Sequence, residues 1–220
     1  PMITLKNYNP PLGPLDILDH DEHIIVLNKP SGLLSVPGKP EEHKDCLSSR
    51  VSSEFPTATV VHRLDMETSG IIVMALTPQA HRFISLGFEK RLTEKTYEAR
   101  VDGLVADDFG EIDQPLIVDW PNRPIQIIDY ERGKQAITRY EVIEREEAYT
   151  RLALYPVTGR THQLRVHCLH LGHVILGDQL YGTERTIIAA DRRLQLHAKS
   201  LTIIHPATQE KITFNSPVPF

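Results

Sequence analysis

Thr59-Val60-Val61-His62-Arg63-Leu64-Asp65-Met66-Glu67-Thr68-Ser69-Gly70-Ile71-Ile72-Val73-Met74-Ala75-Leu76-Thr77-Pro78 decides the fold, because two apolar runs bracket a polar loop and a helix signal follows at once. Thr59 to Val61 and Ile71 to Leu76 read as strands, the second buried, with Asp65 in the loop between them. Thr77-Pro78 supplies a cap and a first-turn proline for a helix running to about Lys90. Upstream, His23 to Asn28 reads as a strand closed by the turn Lys29-Pro30-Ser31-Gly32. Asp45 is placed to cap a short helix whose Leu47, Val51 and Phe55 recur on one face. The proline-rich opening through Pro14 reads as an extended arm on the surface. Downstream, Tyr97 to Val101, Ile137 to Ile143, Tyr149 to Tyr155, Gln195 to Ile204 and Lys211 to Phe214 carry strand chemistry. One helix interrupts them, with Thr161 as cap, Leu164, Cys168 and Leu171 as its buried stripe, and Gly172 as its stop. Many strands and few helices out of strict alternation predict an α+β fold on a mixed or mostly antiparallel sheet, as one domain over 15–220 behind an arm of 1–14.

Composition narrows the function. The chain has 220 residues, 40% of them hydrophobic and 24% charged, the balance of a globular protein. Cys46 and Cys168 show no CxxC spacing, so neither a disulfide framework nor a zinc knuckle is indicated, and a reducing cytoplasm fits. No apolar run is long enough to span a membrane, and the opening lacks signal-peptide order, so export and insertion are disfavoured. The formal net charge of −5 argues against non-specific coating of nucleic acid. Charge is uneven, however: Thr158 to Gly177 holds Arg160, Arg165 and four histidines with no carboxylate, which allows a focused positive field.

Each candidate residue has two readings. Asp65 is either a turn cap or a chemical group held by a rigid scaffold, and Arg63 either its ion-pair partner or a contact to a polyanion. The helix start near Arg160, with two cations and free N–H groups, suits an anion; the alternative is a solvated helix end. His162, His167, His170 and His173 match no metal-ligand spacing, so no metal is assigned, and Cys168 reads as a buried apolar residue. Tyr97 reads as a packed strand residue. Trp120, between Asp119 and Pro121-Asn122-Arg123-Pro124, is either a cap on the core edge or a base-stacking surface.

Taken in order, His62-Arg63-Leu64-Asp65 with Thr68-Ser69-Gly70, then Lys95-Thr96-Tyr97, Gly159-Arg160-Thr161-His162-Gln163-Leu164-Arg165-Val166-His167 and Leu196-His197-Ala198 resemble the RluA family of RNA pseudouridine synthases. Asn7-Tyr8-Asn9-Pro10-Pro11, Asn28 to Leu33 and Asp119 to Pro124 look like the dual-specificity member, which acts on a 23S rRNA loop and on the first anticodon-loop position of certain tRNAs. The resemblance implies a central mixed, mostly antiparallel sheet with flanking helices and a cleft across it. It implies Asp65 as the catalytic aspartate, Tyr97 over the uracil ring and Arg165 paired with Asp65. It also implies Arg63 filling the space of an extruded base, and Arg160, His62 and Leu196 on the substrate side. The implied partner is RNA, as tRNA anticodon and 23S rRNA stem-loops, with no DNA, no membrane, no cofactor and a monomeric, cytoplasmic enzyme; an S4-like domain has no room in the chain. Met66-Glu67 departs from the commoner Lys-Asp pair.

Breaking the bond from ribose C1′ to N1, turning the uracil and rejoining it through C5 changes no oxidation state and loses no group. A carboxylate can attack C6 of the ring, attack C1′, or brace positive charge, and the sequence leaves the three open. Tyr97 is the group placed to move the proton. An arginine at contact distance lowers an aspartate's pKa by about 1–3 units, so Arg165 is expected to keep Asp65 charged in a dry site. Two other classes compete: a non-catalytic RNA-binding or RNA-chaperone protein on the same fold, and a metal-dependent hydrolase using the histidines.

Overall fold

The computed structural model describes residues 7–220; the first six residues of the arm lie outside the described residues. In chain order the elements are β1 (Ile17–His20), β2 (Ile24–Lys29), α1 (Leu47–Glu54), β3 (Thr59–Val60), β4 (Ser69–Ala75), α2 (Pro78–Glu89), β5 (Glu94–Asp102), β6 (Phe109–Asp113), β7 (Leu116–Val118), β8 (Gln126–Ile128), β9 (Ile137–Arg145), β10 (Tyr149–Pro156), α3 (Gln163–Leu171), α4 (Glu184–Ile188), β11 (Leu196–Ile204) and β12 (Lys211–Asn215). They group into two compact units, a first of Asn7–Lys95 with His197–Pro219 and a second of Thr96–Leu196 with Phe220.

In the first unit β4 is the central strand. It is buried at every position because β2 and β3 pair with it antiparallel and β11 pairs parallel, through His197↔Ser69 and Ala198↔Gly70. β1 and β12 extend the sheet antiparallel from β2 and β11. The pairing is therefore mixed and mostly antiparallel, as the sequence predicts. α2 covers one face through Ala80 and Ile84, packed with Ile71, Val73 and Leu201. α1 covers the other through Leu47 and Val51, packed with Ile25, Leu27 and Ile72. Thr77 caps α2 as predicted, its hydroxyl accepting from the Ala80 N–H at 3.0 Å.

α1 differs from its expectation. Its cap is Cys46, whose N–H donates to Ser49 Oγ at 3.1 Å. Asp45 lies one residue too early and instead forms a bidentate pair with Arg50, at 2.8 and 2.9 Å. The arm is held beside it, since the Tyr8 hydroxyl donates to the Asp45 carbonyl and accepts from the Leu34 N–H.

In the second unit the strand order is β5-β10-β9-β6, all antiparallel, with a separate β7–β8 hairpin. α3 packs Leu164 and Cys168 against Ala99, Leu152 and Leu154. It begins one residue later than expected. His162 sits in the left-handed region at φ 54 with no side-chain cap, and Thr161 makes none either. The Gln163 side chain instead braces the turn before the helix, its Oε1 accepting from the Arg160 N–H at 3.0 Å. Gly172 ends α3 in left-handed geometry at φ 91, as expected.

Candidate active site

Asp65 is half-buried in the loop between β3 and β4, and the protein fixes that loop from below. Leu64, on one side of it, is buried and bound twice to Ser35: Ser35 Oγ donates to the Leu64 carbonyl at 2.6 Å and accepts the Leu64 N–H at 3.1 Å. Met66, on the other side, gives its carbonyl to Lys29 Nζ at 2.9 Å and to the Gly32 N–H at 2.8 Å. Ser31 Oγ donates to the Glu67 carbonyl at 2.6 Å. Lys29 is fully buried at the end of β2, and its ammonium also binds the carbonyls of Pro30 and Leu33. A buried ammonium is tolerable only when its protons are all taken, and three carbonyls are available to take them. The turn after β2, read from sequence merely as a turn, is thus the bed of the Asp65 loop. A lysine closing an apolar strand was the available signal for it.

The loop re-enters β4 through Gly70, whose φ is +118 and whose added Cβ would lie 2.3 Å from the Ala198 carbonyl oxygen. Only glycine fits where β11 approaches so closely. Beside it Ser69 Oγ and His197 Nδ1 are 2.7 Å apart in a buried contact, and His197 Nε2 lies 3.1 Å from Ser216 Oγ.

His62 stacks on Phe88 at 4.5 Å, and its Nε2 accepts the Val73 N–H at 2.9 Å. Burial, and secondarily the nearby Lys95, push its pKa down to about 3, so the ring is neutral. Burial also lowers the pKa of Lys95, whose Nζ lies 6.0 Å from the Phe88 ring centre. Arg63, by contrast, is exposed.

In the second unit Tyr97 lies on β5 opposite Leu154 of β10, half-buried against the core. Leu196 is 3% exposed within that core, so its contribution is packing and not a surface offered to RNA. Arg165 is also inside, 1% exposed. Its Nε and Nη2 bind the two oxygens of fully buried Asp178 at 2.8 and 2.7 Å. The Leu180 and Tyr181 N–H groups donate to the same carboxylate. The Arg165 guanidinium lies 5.5 Å from the Tyr181 ring centre. The Tyr181 hydroxyl meets His162 Nδ1 at 2.7 Å and accepts the Gln126 N–H at 2.9 Å. A guanidinium held bidentate and stacked on a ring is fixed in position and orientation.

These placements narrow the reading of the α3 start as an anion site with two nearby cations and free N–H groups. The Arg160 N–H is taken by Gln163, and Arg165 is inside the protein, paired to Asp178. Arg160 alone remains toward solvent, anchored by its Nε to the Gln135 carbonyl at 2.9 Å. Neither Gln163 nor Asp178 was singled out by the sequence reading. Gln163 was hidden by its ordinary helix propensity, and Asp178 by lying thirteen residues from its partner.

Of the four histidines, His162, His167 and His173 are committed to polar contacts, and His170 is exposed. His167 bridges Thr138 Oγ1 and the Gln114 carbonyl, and His173 Nδ1 meets the Asp102 carbonyl. Among the described residues no group of three or more His, Cys, Asp or Glu side chains could hold a metal ion. Cys168 is fully buried, and burial pushes its thiol up to about 12, which leaves it inert. No helix among the described residues is long and apolar enough to cross a membrane.

Residues 23–170 match the family model described as RNA pseudouridylate synthase, a span that takes in parts of both units. The chain is 54% identical over 218 residues to the dual-specificity RNA pseudouridine synthase RluA of Salmonella typhi, covering 98% of this chain and 99% of that protein. It is 53% identical over the same length to RluA of Escherichia coli K12, and 48% identical to that of Vibrio cholerae over 99% of this chain and 89% of the relative. Among solved structures, human RNA pseudouridylate synthase domain containing 1 is similar with a TM-score of 0.76 at 28% identity, over 94% of this chain and 84% of that one.

Proposed function

The chain belongs to the RNA pseudouridylate synthase family, whose members isomerise uridine in RNA to pseudouridine, and we propose that Asp65, Tyr97 and Arg165 carry that reaction here. The observation that supports the assignment is the Asp65 loop itself. Both residues flanking the aspartate are bolted through their backbones to Ser35, Lys29 and Gly32, so the position of the carboxylate is fixed by the chain on either side of it. Preorganisation of that kind is what a reacting group needs.

In this reading Asp65 supplies the carboxylate that drives cleavage between C1′ and N1. The uracil turns and bonds through C5, and Tyr97 relays the C5 proton. Arg165 provides the opposing positive charge, its orientation set by Asp178 and Tyr181. Arg63 occupies the space of the everted base, and Arg160 contacts a phosphate. Eversion costs a few kcal/mol, least in a loop, so stem-loops are the substrates. That the relatives are dual-specificity RNA pseudouridine synthases supports action on two kinds of RNA, and the motif resemblance points to the tRNA anticodon arm and a 23S rRNA hairpin as those two. The protein acts as a monomer, with 15–220 working as one catalytic domain.

The test is to incubate the protein with tRNA and 23S rRNA transcripts, without added metal or nucleotide, and map pseudouridine by site. Conversion at a single loop uridine in each RNA is expected, with Asp65→Asn lowering the single-turnover rate by at least about 10³-fold at near-unchanged RNA affinity. An Asp65→Asn protein that turns over like the parent would overturn the assignment.

A further inference from the structure

The β7–β8 hairpin carries a surface that the isomerisation does not use. Its turn places Trp120 67% exposed, although an indole ring is among the side chains that gain most from burial. The expectation that Trp120 caps the edge of the core is therefore corrected. The guanidinium of Arg123 lies over the indole, 4.4 Å from its centre, and Arg123 Nη1 donates to the Trp120 carbonyl at 2.7 Å. No carboxylate forms an ion pair with Arg123 among the described residues, and the neighbouring Asp119 side chain is occupied by Asn122 at 2.8 Å. Tyr130, just beyond β8, is 74% exposed, with the exposed Arg132 close to it in sequence.

The hairpin's base is rigid. Leu116 is buried with Ala136 and with Val166 of α3, and Leu116 and Lys134 exchange backbone hydrogen bonds of 2.9 and 2.8 Å. The Gln126 N–H opening β8 donates to the Tyr181 hydroxyl, on the same ring that carries Arg165. An exposed ring held flat by an unpaired cation, on a base keyed to the arginine's own support, is chemistry suited to an unstacked nucleobase and its phosphate.

We propose that the β7–β8 turn is an RNA contact, in which an unstacked base of the stem-loop stacks on Trp120 and Arg123 meets its phosphate. This rests on the reading of the chain as an enzyme of RNA stem-loops. Trp120 is the only tryptophan of the chain, so its emission reports this surface alone. Titrating the full-length protein with a tRNA anticodon stem-loop transcript should quench that emission by about half or more. Trp120→Ala should raise KM about tenfold, leaving the single-turnover rate at saturating RNA within about twofold, and Trp120→Phe should recover most of the loss. Arg123→Gln should reduce the slope of log affinity against log salt by about one.

Emission that stays constant at saturating RNA, with KM unchanged in Trp120→Ala, overturns the proposal. So does emission that shifts with protein concentration alone, which marks a face between copies of this chain. Pseudouridine mapped in the same samples separates the two layers: a parent protein that converts uridine while its tryptophan stays silent refutes this contact and not the reaction.

Discussion

His62 stands three residues before Asp65, where a titrating imidazole could serve the RNA, yet its chemistry is turned inward. With Nε2 accepting from Val73, its single proton belongs on Nδ1, and a second is resisted down to about pH 3. In the unfolded chain the same ring takes up a proton near pH 6.5. Between those values the unfolded state binds more protons than the folded one, so stability falls as pH falls through that window. The expected size is about 1–3 kcal/mol by pH 4.5. His62→Gln keeps an acceptor without titrating, so its melting temperature should drop less between pH 7 and 4.5 than the parent's. Parallel pH profiles in calorimetry would refute this account. Such burial is what sequence reading sees least well at this scale. Asp65 was legible because a carboxylate between two apolar strands stands out. The burial of Arg165 was not, because its carboxylate partner Asp178 comes from a turn with no periodic signal.

The elements most legible were those whose pattern is local. β2, β4, α2, β9, β10 and β12 fall within a residue or two of their expected bounds. β1, β6, β7, β8 and α4 were missed; each has five residues or fewer, too short for a period to declare itself. The least legible feature is the coupling of β2 to the loop before β4, because hydrogen bonds to backbone carbonyls leave little trace in residue identity. Lys29 is the exception and can test it. Lys29→Met keeps the length of the side chain but strands the carbonyls of Pro30 and Leu33 and takes one of two donors from that of Met66. Unsatisfied buried acceptors of this kind should cost about 2–4 kcal/mol in all, or roughly 5–15 °C in melting temperature at this chain length. Because Met66 flanks Asp65, kcat should fall by about tenfold or more while KM for RNA moves little. A variant equally stable, or one impaired only in KM, would remove Lys29 from the support of the loop.

At the scale of the whole molecule, a chain of net charge −5 must hold a polyanion, and the distribution of ion pairs shows how it can. Most surface arginines are already neutralised: Arg50 by Asp45, Arg100 by Glu146, Arg139 by Glu111, Arg145 by Asp108 and Arg185 by Asp102. The uneven charge of Thr158 to Gly177 overstated the local field at the surface, since Arg165 is buried and binds Asp178, which lies just outside that window. Among the described residues no carboxylate pairs with Arg63, Arg123 or Arg160, and these are the cations proposed to face RNA. Each phosphate neutralised releases counterions, giving a slope of about −0.7 to −0.9 per contact in log affinity against log salt. Three contacts therefore predict a slope of at least about −2 in magnitude between roughly 50 and 200 mM KCl, despite the acidic total. Filter binding of a stem-loop to the parent should show it, and the Arg63→Gln, Arg123→Gln, Arg160→Gln triple variant should flatten it toward zero. A parent protein whose affinity ignores salt, or a triple variant with the parental slope, would move RNA binding to other cations and leave these three as ordinary surface charge.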